Sequence, residues 1–79
     1  MDKKFSLYRT SDLYFSAYLC ALDLTLETSE KDGEKVIFVF KVPLEDMPRL
    51  KASYFGGSGT VKAKKFVDSL RSLKQLCHT

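Results

Sequence analysis

Seventy-nine residues, 44% hydrophobic, 29% charged and 13% aromatic with no tryptophan, are expected to form a single domain over residues 1–79. That size is near the point where burial only just exceeds the entropy of ordering the chain, and the composition is that of a folded protein, neither disordered nor membrane-spanning. The formal charge of +3 is uneven: residues 1–48 carry six basic and nine acidic side chains (net −3), residues 49–79 seven basic and one acidic (net +6). The longest apolar-leaning stretch, Leu13 to Leu26, contains Asp23 and is too short to cross a bilayer, and no signal-peptide pattern precedes it. The expected address is therefore cytoplasmic, with no membrane partner.

The first element, KKFSLYR, sets Phe5 and Leu7 against Lys4, Ser6 and Tyr8, the period-two pattern of a short, half-buried edge strand. At TSDLYF the period changes. Thr10 or Ser11 is placed to accept from the free amides of a first helical turn, and Asp12 sets negative charge at the positive end of the helix dipole. The helix that starts there is expected to end near Leu22. At 100° per residue its apolar side chains cover almost the whole circumference, leaving Ser16 and Asp23 on a narrow polar edge. A helix apolar all round is either buried or shared with a partner. The partner reading assigns Tyr14, Phe15, Tyr18 and Leu19 to the seam of a homodimer or another protein contact.

Residues 22 to 27 alternate as a strand with Leu22, Leu24 and Leu26 on one face. The Asp32-Gly33 pair then supplies the left-handed backbone of a tight hairpin. The return strand, KVIFVFKVP, is apolar on both faces, which marks a central strand, and Pro43 ends it because proline has no ladder donor. A helix entered through Glu45, Asp46 and Met47, with Pro48 in its first turn, is expected to bury Leu50, Tyr54 and Phe55. Gly56 to Gly59 break it. The last helix is expected to run from a Thr60 cap to Cys77 with an apolar stripe of Ala63, Phe66, Val67, Leu70, Leu73 and Cys77, and Lys64, Asp68 and Arg71 opposite. The order strand, helix, hairpin, helix, helix (β-α-β-β-α-α) predicts an α+β fold, a three-stranded antiparallel sheet with helices mainly on one face.

The stretch YFGGSGTVKAKKF resembles a phosphate-binding loop only superficially. Counting from Gly56, the second required glycine falls on Val61, and Lys62 is followed by alanine where serine or threonine must bind magnesium. Free amides at the start of the last helix and Lys62, Lys64 and Lys65 beside them still suit a single phosphate. With Thr60, Arg49, Lys51, Arg71 and Lys74 they make up the candidate contacts to a DNA or RNA backbone. Aromatics beside lysine in VIFVFK suit base stacking, but Phe38 and Phe40 are read as core. No nucleophile, base and orienting group stand close enough in sequence to form a catalytic set; the chain is read as a non-enzyme with no cofactor. Cys20 and Cys77 are read as reduced, small hydrophobes, and with one terminal histidine, His78, no metal site is expected.

YRTSDLYFSAYL, the VIFVFKV strand, YFGG and KKFVDSLRSLKQL together resemble a family of small bacterial domains of unknown function. The matching positions are Tyr8, Thr10, Asp12, Phe38, Phe40, Tyr54, Phe55, Gly56, Phe66 and Leu73. The resemblance spans residues 8–76 and implies structural roles for these positions; the lysines lie outside it, and the glycine-serine turn is longer here.

Overall fold

The computed structural model describes residues 4–77; His78 lies outside them. The elements follow in the order β1 (Phe5–Thr10), α1 (Leu13–Ala21), β2 (Thr25–Asp32), β3 (Lys35–Pro43), one 3-10 turn (Leu44–Asp46), α2 (Met47–Phe55) and α3 (Ala63–Cys77). This is the expected α+β arrangement, and the antiparallel sheet has the order β1-β3-β2 with β3 at its centre. On the helix-facing side Phe38, Phe40 and Val42 join Phe15, Leu19, Leu50 and Leu73 in the core. Strand alternation sends Val39 to the opposite face, yet it is only 1% exposed. Arg9 on β1 and Glu30 on β2 meet at 3.6 Å, so this ion pair spans the central strand beside Val39.

Two strands depart from expectation. In β1 the alternation is real but its sense is reversed: Phe5 and Leu7 are 49% and 54% exposed, while Ser6, Tyr8 and Thr10 turn toward the helices. The reversal follows from what comes next. The Thr10 hydroxyl accepts the Asp12 N–H at 3.1 Å, and the Tyr8 ring stands edge-on to Phe15 with centroids 5.9 Å apart. Both contacts need the even-numbered side chains inside. β2 begins at Thr25 rather than Leu22 and extends through Asp32, with an irregularity between Leu26 and Thr28. Asp32 pairs with Lys35, so the hairpin loop is Gly33 and Glu34. Only Gly33 has a positive φ there, +63°, which suits the type II′ turn.

Leu22 leaves the strand because it closes α1. The Asp23 N–H donates to the Cys20 carbonyl at 2.9 Å and the Leu24 N–H to the Leu19 carbonyl at 3.1 Å, the paired bonds of a Schellman motif. Asp23, at φ 65°, occupies the left-handed position that glycine usually fills. At the other end Asp12, not Thr10 or Ser11, is the cap: its Oδ1 accepts the Phe15 N–H at 2.9 Å. Ser16, expected on a polar edge, is fully buried, and its hydroxyl donates to the Asp12 carbonyl at 2.7 Å.

α3 begins at Ala63, with the Lys62 carbonyl taking the first helical bond from Phe66 N–H at 3.0 Å; Thr60 lies ahead of the helix and is not its cap. Val67 is 47% exposed and Ala63 is also exposed, so both leave the expected stripe, which narrows to Phe66, Leu70, Leu73 and Cys77. Gly59 has a packing role. A Cβ there would fall on the Tyr18 hydroxyl and lie 2.9 Å from Tyr18 Cζ. Gly59→Ala is therefore expected to lower stability by about 1–3 kcal/mol through overpacking, and less in a Tyr18→Phe background. Urea denaturation of the four proteins checks this; an equal loss in both backgrounds would show that the hydroxyl is not the obstacle.

Candidate nucleic-acid interface

The connection from α2 to α3 is an ordered strap rather than a tight reversal. Gly56 N–H donates to the Ala52 carbonyl at 2.9 Å, Gly57 N–H to that of Tyr54 at 3.2 Å, and Gly59 N–H to that of Ser53 at 2.8 Å. Gly57 takes the left-handed conformation at φ 80°. Val61 then packs against the core, which carries the chain across the end of α1. There Ala21, Leu22, Asp23, Thr60, Val61, Lys62 and Lys65 line a depression of about 470 Å³.

An anion already sits in this region, and it belongs to the chain. Lys65 Nζ reaches both Asp23 oxygens, at 2.9 and 2.8 Å. The Asp23 carboxylate stands at the negative end of the α1 dipole, an unfavourable place for it, and the Lys65 ammonium offsets this. The expected phosphate partner of Lys65 is thus replaced by a carboxylate 42 residues away in sequence. No signal in the local pattern points to it.

Other candidate cations are also engaged. Lys64 Nζ bonds Asp68 at 3.1 Å, Arg49 lies 3.5 Å from Asp46, and Lys51 Nζ stands 4.9 Å from the centre of the Tyr8 ring. Lys62, Arg71 and Lys74 have no hydrogen bond, ion pair or ring contact among the described residues. On α3, at 3.6 residues per turn, Lys64, Arg71 and Lys74 fall within an arc of about 80° and about 15 Å of axial length. Arg49 and Lys51 belong to α2, where Arg49 meets Asp46 of the preceding 3-10 turn and Lys51 meets the Tyr8 ring of β1. The eight candidates therefore divide: one stripe on α3, one cation neutralised at the end of α1, two engaged on α2, and Thr60 and Lys62 at the rim of the depression.

The expected apolar seam does not lie on the surface. Phe15, Tyr18 and Leu19 are in the core and only Tyr14, 53% exposed, remains outside. α1 is apolar all round because the sheet covers one side and α2 and α3 cover the others. Phe55, expected in the core, is 65% exposed although its ring lies 5.4 Å from Phe15 and 4.9 Å from Tyr54. Burial, then the nearby Asp12 carboxylate and Tyr14, push the Tyr54 hydroxyl above its ordinary pKa. Burial likewise raises the Cys20 thiol. Both cysteines are free and half-buried.

Among the described residues, no group of three or more His, Cys, Asp or Glu side chains is placed to hold a metal, and no helix is long and apolar enough to cross a membrane. No family model, curated protein or solved structure matches the chain, so its functional reading rests on its own geometry.

The Asp23–Lys65 pair is exposed on both sides, and such pairs contribute at most about 1 kcal/mol. The backbone strain at Asp23 is the larger consideration. Asp23→Gly is expected to keep or raise stability by relieving the left-handed residue, whereas Asp23→Ala lowers it by about 1 kcal/mol. Thermal or urea unfolding of the two variants checks the order; an alanine variant as stable as the glycine variant would contradict it.

Proposed function

We propose that this chain is a non-enzymatic accessory domain of the cytoplasm that contacts the phosphate backbone of DNA or RNA through the outer face of α3. The observation that carries the reading is the stripe of Lys64, Arg71 and Lys74, two of whose three cations hold no partner among the described residues. Lys62 stands apart from it, at the rim of the depression ahead of the helix. The acidic side chains concentrate elsewhere, with Glu27, Glu30, Asp32 and Glu34 on the β2–β3 hairpin. With Asp68 its one acidic residue against four cations, α3 carries a net positive charge, and such a helix attracts a polyanion. Lys64 contributes despite Asp68, because an exposed pair of this kind exchanges readily with solvent and ions.

Lys65 and Thr60 take no part in this contact. Lys65 lies about 100° or more around α3 from the stripe, where it meets Asp23, and Thr60 provides no cap. Arg49 and Lys51 are secondary at most, since each already has a partner on or beside α2. With about three to four phosphates neutralised, binding is weak, largely indifferent to sequence and strongly salt-dependent, with a log-log slope near −3 on duplex DNA.

Fluorescence anisotropy at low salt with labelled duplex and single-stranded oligonucleotides tests this. The wild type binds both with falling affinity as salt rises, and Arg71→Glu with Lys74→Glu weakens binding at least about tenfold. Reversing Lys31 and Lys35 on the hairpin, an equal change of net charge, leaves most of the affinity. Absence of wild-type binding at low salt, or an equal loss from the hairpin reversal, would overturn the proposal.

A further inference from the structure

β1 has an open edge whose chemistry is complementary to itself. The Leu44 N–H donates to the Lys4 carbonyl at 2.9 Å, and the register continues from there as Phe5 with Pro43, Ser6 with Val42 and Leu7 with Lys41. In an antiparallel ladder hydrogen-bonded pairs alternate with non-bonded ones. Lys4, Ser6, Tyr8 and Thr10 therefore spend their backbone groups on β3. Phe5 falls at a non-bonded position opposite Pro43, which has no N–H to give. It follows that Phe5, Leu7 and Arg9 aim their N–H and C=O groups away from the sheet.

The two edges of the sheet are unlike each other. β2, the far edge, carries Glu27, Glu30, Lys31 and Asp32 and an irregularity between Leu26 and Thr28, features that discourage a further strand. β1 has a regular register over all six residues and no proline, and its outward side chains include the exposed Phe5 and Leu7. Along this edge the outward residues read aromatic, aliphatic, cationic.

We propose that β1 pairs antiparallel with β1 of a second copy about a two-fold axis at Leu7, joining two three-stranded sheets into one. In that register Leu7 faces the other Leu7, and each Phe5 faces an Arg9. Three facing pairs exchange about six backbone hydrogen bonds. The Phe5 ring meets a guanidinium, a favourable cation–π contact, and no two like charges stand directly opposite, since Lys4 faces Thr10. The Arg9 charge is already moderated by Glu30 at 3.6 Å. Such an isologous contact uses one patch twice. It is smaller than a standard interface, so the dimer is weak and concentration-dependent. This inference concerns a different surface from α3 and does not rest on nucleic-acid binding.

Sedimentation and light scattering without nucleic acid, over roughly 5 µM to 1 mM protein, test it. The weight-average mass is expected to rise from 9.0 kDa toward twice that value, with the Leu7 and Arg9 amides gaining hydrogen-exchange protection at high concentration. Leu7→Pro removes no bond to β3, and is expected to abolish association while the circular dichroism spectrum is kept. Leu7→Lys, which places two ammonium groups at the axis and needs no backbone change, weakens association at least tenfold and covers the case in which proline disturbs the strand. Phe55→Lys, at another exposed aromatic that lies on α2, leaves association unchanged. A wild type that stays at 9.0 kDa throughout, a Leu7→Lys protein that associates like wild type, or loss of association in Phe55→Lys would each overturn the proposal.

Discussion

The Phe15 ring, 1% exposed, meets four others: Tyr8 at 5.9 Å, Tyr18 at 6.3 Å, Tyr54 at 5.2 Å and Phe55 at 5.4 Å between centroids. One side chain thus links β1, α1 and α2. A small domain has few layers in which to bury apolar surface, and aromatic contacts of this kind add roughly 0.5–1.5 kcal/mol each beyond their area. The position of Phe15 is set locally. Its own N–H is held by the Asp12 carboxylate, whose N–H is held by the Thr10 hydroxyl. A chain of two short-range bonds therefore fixes how the strand hands over to the helix, and with it which face of the sheet is closed.

The same economy governs the charges. A cation that looks free in a linear reading finds a carboxylate once the chain folds, as Lys65 does at the end of α1. What stays available on α3 is set by helical geometry and by where acidic side chains lie, and neither follows from counting lysines. The YFGGSGT segment contributes to this indirectly. Its glycines let the strap pass close over the Tyr18 hydroxyl and deliver Val61 to the core, which positions the start of α3 beside Asp23.

Much of the architecture was legible because it depends on short-range pattern. Two-sided apolarity identified β3 as the central strand, Pro43 marked its end, Gly33 the hairpin, and the shift of period at Asp12 the first helix. Alternation in β1 correctly paired Phe5 with Leu7 and separated them from Tyr8, but periodicity states which residues share a face and not which face meets the core. That choice was made by Tyr8 against Phe15, a tertiary contact. The apolar girth of α1 was equally ambiguous, since burial inside one chain and burial between two leave the same pattern. Of the candidate site, the stripe on α3 could be read from spacing; the Asp23–Lys65 bond could not, because it joins two elements whose docking no local signal encodes. Thr60 failed as a cap because Val61 is drawn into the core before the helix begins.

The register of the sheet carries one more consequence. β1 reaches β3 only as far as the Thr10–Phe38 pair, so beyond it β2 and β3 continue as a two-stranded ribbon ending at Gly33 and Glu34. A two-stranded ribbon is marginal alone, and the residues here are polar and exposed, with only Val36 and Ile37 half-buried. Its hydrogen bonds open at a lower free energy than those of the three-stranded part. Opening it uncovers little apolar surface, so the ribbon can fray, lengthen or accept an inserted segment while the Phe15 cluster stays closed.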